Sequence, residues 1–212
     1  MKPACKDRVI VYVDGFNLYY GLKSKWKNRF LWLDLRLLSY NLLRGRQTLI
    51  GVKYFTSRVS QNNKDLGKWK RQNTYLEALR AKGDIEFYWG HYVQKEMYCP
   101  SCKFNWDNPE EKRTDVAIAV EMLVDSQQDK LDTAILISGD SDLVPPVEKV
   151  VELYQKRVVV AFPPHRWSGA LNGVATGTFV IGRKNLKISM LPGKITTKDG
   201  FELYCPGRWK TR

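Results

Sequence analysis

Histidine is nearly missing from this 212-residue chain, with 2 residues, and cysteine is scarce, with 4. No apolar run approaches the roughly 18–20 residues that a membrane span requires. The longest, over residues 9–13 and 134–137, are strand-length. The opening segment reaches only a short apolar run before Asp14, so it does not read as a secretory signal. Internal repeats and low-complexity tracts are absent. With 43% hydrophobic and 12% aromatic residues, disorder is excluded for most of the chain, and one α/β-sized domain can bury a core.

The common phosphate and nucleotide signatures are missing too. Gly193-Lys194 is followed by Ile195, where a P-loop needs Ser or Thr, and no Gly-x-Gly-x-x-Gly follows a strand. The first strand carries Phe16 where an aspartyl-phosphate phosphatase would place a second Asp.

Acidic side chains are the scarcer sign, 22 against 35 basic, giving a net charge of +13. The basic excess lies in residues 1–90 and 161–212, while residues 91–160 are net acidic. An acidic middle between basic flanks fits a carboxylate site in a protein whose surface attracts a polyanion; a merely basic soluble surface is the plain alternative. Four cysteines without an export signal fit a reducing, cytoplasmic compartment. Cys99-Pro-Ser-Cys102 has the spacing of one knuckle of a structural zinc site, which needs four ligands, and the distant Cys5 and Cys205 complete it only if the two ends of the chain meet there. A plain turn is the competing reading.

Apolar runs alternate with helical patterns. Strands are expected over 8–13, 51–55, 85–93, 133–137, 158–162 and 179–181. Helices are expected over 16–25, 33–43, 65–82 (stopped by Gly83), 113–126, 142–155 and 168–175. Residues 97–111, holding the cysteine knuckle, form an inserted loop or hairpin. In the 113–126 helix, Val116, Ala119, Val120 and Leu123 make the apolar face. This rhythm predicts an α/β fold, a three-layer sandwich with a mostly parallel central sheet and helices on both faces. Residues 1–185 make the domain, and residues 186–212 a basic C-terminal extension.

Three acidic features fall where such a sheet puts chemistry. Asp14 follows the first strand in Val13-Asp14-Gly15-Phe16-Asn17; Asp140 and Asp142 follow another in Ser138-Gly139-Asp140-Ser141-Asp142. Ligands bind beyond the carboxyl ends of strands at the switch point, so neighbouring strands would bring these carboxylates into one crevice. Asp115, opening the 113–126 helix, is either an N-terminal cap or a fourth member. Each residue singly is also ordinary turn chemistry. Together they are an oxygen-only set suited to Mg²⁺ or Mn²⁺, which can acidify a water for attack on a phosphodiester.

The segments Val13-Asp14-Gly-Phe-Asn17-Leu-Tyr-Tyr-Gly21, Glu111-Lys-Arg-Thr-Asp115-Val-Ala-Ile-Ala-Val-Glu121 and Ile137-Ser138-Gly-Asp140-Ser-Asp142-Leu-Val-Pro145 resemble the NYN-domain family of PIN-like nucleases, nearest its bacterial LabA-like branch. The similarity runs from about residue 8 to about residue 192, with the motifs in order. It implies a PIN-like Rossmannoid sheet and metal-dependent phosphodiester hydrolysis, most often of RNA. Asp14, Asp115, Asp140 and Asp142 would then hold the metal, Asn17 would hydrogen-bond within the site, and Ser138 would support the Asp140 loop. Lys112, with Arg113 beside it, falls where the family often places a basic residue near phosphate. The Cys99/Cys102 insert also resembles one seen in LabA-like members.

Basic residues interleave with aromatics at Lys23, Lys25, Trp26, Lys27 and Arg29, at Lys68-Trp69-Lys70-Arg71 and at His165-Arg166-Trp167, the pattern that holds single-stranded nucleic acid. The plain alternative anchors the tryptophans in the core. The expected function is a Mg²⁺/Mn²⁺-dependent ribonuclease acting on single-stranded RNA. A non-catalytic RNA-binding or scaffold protein with the same fold is the alternative. A structure-specific DNA nuclease ranks third, since neither a larger acidic set nor a helical arch is evident.

Overall fold

The computed structural model describes residues 6–59 and 66–210. Its first strand, β1 (Asp7–Asp14), is apolar on both faces, with Val9, Val11 and Val13 in one core and Ile10 and Tyr12 in the other. A strand buried on both sides belongs at the centre of a parallel sheet. The sheet also contains β2 (Gln47–Thr56), β3 (Glu86–Trp89), β6 (Thr133–Ile137), β7 (Arg157–Phe162) and β8 (Gly177–Val180), in the order β3-β2-β1-β6-β7-β8. Every pairing is parallel. The chain runs outward from β1 to β3, then returns to β6 on the other side of β1. That reversal makes the β1–β6 gap the switch point.

One face is covered by α1 (Gly15–Trp26), α2 (Leu35–Leu42) and α3 (Leu66–Lys82), and the other by α4 (Thr114–Gln127), α5 (Val144–Glu152) and α6 (Gly169–Val174). The expected α/β three-layer sandwich is therefore present.

Several expectations differ in detail. The strand expected over 85–93 breaks at Gly90. There β4 (His91–Tyr98) leaves the sheet and pairs antiparallel with β5 (Asn105–Lys112), so the insert is a hairpin with the cysteine knuckle at its tip. The helix expected over 142–155 divides into a single 3-10 turn (Ser141–Leu143) and α5, because Pro145 and Pro146 lack the N–H groups an earlier helix would need.

The apolar face expected for α4 is also corrected. Val116 and Val120 are 67% and 49% exposed, whereas Ile118, Met122 and Asp125 are fully buried. The run is apolar nearly all round, so its periodicity admits two faces. The chosen one contains Asp125 because partners for it exist there. Lys53, buried on β2, is paired with Asp125 and with Glu121 (2.7 Å), while the Tyr12 hydroxyl donates to Asp125 (2.8 Å) and Tyr88 to Glu121 (2.9 Å). This network fastens α4 across β1, β2 and β3.

Residues beyond 182 do more than trail. They form α7 (Arg183–Ile188), β9 (Lys194–Thr196), β10 (Glu202–Tyr204) and a 3-10 turn (Gly207–Trp209). Leu186, Leu191, Ile195, Leu203 and Trp209 join the core under α1–α3. The Trp32 indole N–H donates to the Pro192 carbonyl at 2.8 Å, and Trp209 packs edge-on against Tyr75. The segment expected as an extension thus closes the α1–α3 face.

Candidate active site

β1 ends in Asp14, which caps α1. One carboxylate oxygen accepts from the Asn17 backbone N–H (3.0 Å) and the other from the Ser138 hydroxyl (2.8 Å). Ser138, buried at the end of β6, accepts in turn from the Asp140 N–H at 3.1 Å, and the Asn17 side-chain carbonyl accepts from the Gly139 N–H at 3.0 Å. Two strand ends and the first turn of α1 are thereby tied into one unit. Asp14 is 4% exposed, and burial pushes its carboxyl up to about 7. The two hydrogen bonds oppose that rise, and the charges of Asp115 and Asp140 add to it.

Asp14, Asn17, Asp115 and Asp140 line a single cleft of about 390 Å³, counting its open mouth, together with Phe16, Tyr20 and Arg166. Asp115 comes from the first turn of α4, where the helix dipole favours a carboxylate. Its pKa is raised by burial and by the charges of Asp140 and Asp142. Asp140 caps the following 3-10 turn by accepting from the Asp142 N–H at 3.1 Å. Asp142 is exposed on that turn, outside the cleft lining, and acts on Asp115 through charge alone. Of the predicted residues, then, Asp14, Asn17, Asp115 and Asp140 converge, Ser138 supports them from below, and Asp142 stands beside them.

Three further residues line the cleft: Phe16 and Tyr20, which the sequence did not point to, and Arg166, expected only as part of a strand-binding pattern. Arg166 lies in the loop after Pro163-Pro164, whose carbonyl at 163 accepts from the Arg166 N–H at 3.0 Å. A Cβ at Gly139 would lie 1.6 Å from the Arg166 carbonyl oxygen, so this loop sits directly on the Asp140 turn and only glycine fits beneath it. The signal was present in the basic-aromatic triplet at 165–167, immediately after a strand. Tyr20 comes from α1, one turn after Phe16, and the two rings lie 6.4 Å apart.

The remaining predicted residues lie elsewhere. Lys23 and Lys25 are exposed in the last turn of α1 and Lys27 and Arg29 just beyond it, about 13 Å or more from Asp14 at 1.5 Å per residue. Trp26 is half-buried and packs edge-on against Phe30, as an anchor would. Lys112, the last residue of β5, and Arg113, which precedes α4 with a left-handed backbone (φ of 79°), are both exposed. Cys99 and Cys102 sit at the hairpin tip. The Cys99 thiol is held below its ordinary pKa by the backbone N–H of Cys102, then by the Cys102 thiol and the Ser101 N–H. Cys205 is buried within the α1–α3 core, and Cys5 lies outside the described residues. Among the described residues, no three His, Cys, Asp or Glu side chains stand as a closed ligand set. In donor chemistry the cleft carboxylates nevertheless suit a hard divalent cation, being oxygen-only, desolvated and mutually repelling.

A parallel three-layer sheet with carboxylates gathered at its switch point fits a PIN-like fold. Residues 8–181 match the NYN domain, and the chain belongs to that family. It is 26% identical over 189 residues to 6-hydroxy-3-succinoylpyridine 3-monooxygenase HspA of Pseudomonas putida. That match covers 74% of this chain and 59% of the relative, so the chain spans about three-fifths of that protein's length. The crystal structure of a protein of unknown function from Vibrio parahaemolyticus superposes with a TM-score of 0.61 at 22% identity, covering 90% of this chain and 100% of that one, and shares the fold. Among the described residues, no helix is long and apolar enough to cross a membrane.

Proposed function

We propose that the chain is a metal-dependent ribonuclease of the LabA-like branch, hydrolysing phosphodiester bonds of single-stranded RNA. One observation carries the reading: three carboxylates from β1, α4 and the turn after β6 converge on one cleft at the switch point, where burial, reinforced by the neighbouring charges, pushes Asp14 up to about 7. Asp14, Asp115 and Asp140, with Asp142 beside them, would hold Mg²⁺ or Mn²⁺. A bound ion would supply the charge that acidifies an attacking water and stabilises the leaving oxygen.

The chain's own residues do the rest. Ser138 and the Asn17 N–H fix the orientation of Asp14, and the Asn17 side chain pins the Asp140 turn through Gly139. Arg166 sits on the cleft where it balances a phosphate's charge. Lys112 and Arg113 approach from the head of α4, and the Lys23–Arg29 cluster holds strand further along. The two basic flanks draw the polyanion in.

The test incubates wild-type and Asp140→Asn protein with end-labelled single-stranded RNA and DNA, in Mn²⁺, Mg²⁺ or EDTA. Metal-dependent RNA cleavage lost in the variant is the expected result. RNA binding without cutting assigns a scaffold role, and DNA cleavage alone moves the substrate. The name of the Pseudomonas relative supplies a second reading, oxygenation of a heteroaromatic ring, favoured by an aromatic cleft beside the carboxylates. Oxygen uptake with 6-hydroxy-3-succinoylpyridine and a reductant tests it.

A further inference from the structure

A second cleft begins immediately beyond Asp14. Gly15 and Phe16, the next two residues, line it, and Phe16 and Tyr20 line the carboxylate cleft as well. Its remaining walls combine four rings, Tyr19, Tyr54, Tyr75 and Trp209, with aliphatic side chains such as Leu31 and Val59. Gly15 permits this arrangement: a Cβ there would lie 2.7 Å from both the Tyr54 ring and the Phe55 carbonyl oxygen. The water-accessible interior is about 70 Å³, a slot for one planar ring rather than a stacked pair.

Two of the polar side chains around this slot are engaged by the protein. The Tyr75 hydroxyl donates to the Leu33 carbonyl at 2.9 Å. Gln72 accepts from the Val59 N–H at 2.7 Å and donates to the Ser57 carbonyl at 2.9 Å. Most of the surface facing a ligand is ring and aliphatic wall. Lys68 and Arg71 of α3 also line the cleft and make its border basic.

We propose that this slot receives one unstacked nucleobase of the nucleic acid whose phosphodiester lies at the carboxylates, with Tyr20 as the shared wall between base and phosphate. The proposal rests on the ribonuclease reading for its substrate and deepens it. Recognition is by stacking on ring faces, so the slot distinguishes a base from no base and is nearly indifferent to which base. The aromatic wall, the size of the slot and its continuity with the phosphate site through Phe16 and Tyr20 together select a nucleotide over a separate apolar peptide.

The test is a binding measurement in EDTA, which separates it from catalysis. Fluorescence anisotropy compares a labelled short oligouridylate with the same oligomer carrying abasic residues, on wild-type and Tyr20→Ala protein. Wild type is expected to bind the intact oligomer on the order of tenfold tighter, the contribution of a stacked base. Tyr20→Ala is expected to collapse that ratio toward one, with intact binding falling far more than abasic binding. Uridine and adenosine 5′-monophosphates should compete within about threefold of each other, and ribose 5-phosphate much more weakly. Equal wild-type binding of the two oligomers overturns the proposal, as does competition by a free heteroaromatic acid but not by the nucleotides. An equal loss of both oligomers in Tyr20→Ala overturns it too. Should that variant not fold, the wild-type comparison decides alone. Base discrimination without cleavage would leave the slot standing and remove the nuclease; cleavage without discrimination would do the reverse.

Discussion

Replacing Asp14 by Asn should stabilise the metal-free protein, and only above acidic pH. The carboxyl titrates near 7 in the fold against an ordinary 3.8, chiefly because it is buried. Between those values the folded state binds the proton that the unfolded chain has lost. Stability conferred by the protonated form is therefore fully present below about pH 4 and drains away as pH rises to about 7. The full difference corresponds to about 4 kcal/mol at most. Asn keeps the oxygen that accepts from the Asn17 N–H, and the Ser138 hydroxyl can turn to accept from the new amide, so the substitution loses little hydrogen bonding. After relaxation about 2 kcal/mol remains, which raises Tm by about 4–8 °C in EDTA at about pH 8 and by clearly less at about pH 5. Adding millimolar Mg²⁺ should raise the wild-type Tm and leave the variant unmoved, since a ligand stabilises only the state that binds it. Thermal melts across pH, with and without metal, measure all of this. A variant less stable than wild type by the same amount at both pH values would refute the reasoning, because the hydrogen bonds rather than the buried charge would then dominate.

Two further outcomes follow from packing. Lys53→Met should cost about 3 kcal/mol, the low end for a broken buried pair because Lys130 still reaches Asp125 at 3.2 Å; a Lys53→Met/Asp125→Asn double variant should recover part of it in denaturant melts. Gly139→Ala should cost about 1–3 kcal/mol or more, since its methyl would displace the Arg166 backbone, and should lower RNA cleavage beyond the stability loss by shifting the Asp140 turn.

Much of the fold was legible because its signals are local. The unbroken apolar run of β1 could only be a strand covered on both faces, and Asp14 and Asp140 at strand ends announced a crevice once the sheet was taken as parallel. The α4 face was not legible. With Val116, Val120, Ile118 and Met122 all apolar, choosing between two faces required knowing that Lys53 and Tyr12 waited beneath Asp125. Residues 183–212 looked weakly patterned because they bury isolated residues such as Leu186 and Trp209 against a core built by other segments.

The sequence by itself determined the layered α/β class, the parallel sheet, the basic flanks and the carboxylates at strand ends, because periodicity and turn chemistry act over a few residues. Tertiary structure alone decided that Asp115 joins Asp14 and Asp140 while Asp142 stays outside, that Arg166 and Tyr20 complete the cleft, and that an aromatic slot opens beside it. Those outcomes depend on how far apart in space residues more than a hundred positions apart in the chain come to rest, which is fixed by packing and not by spacing.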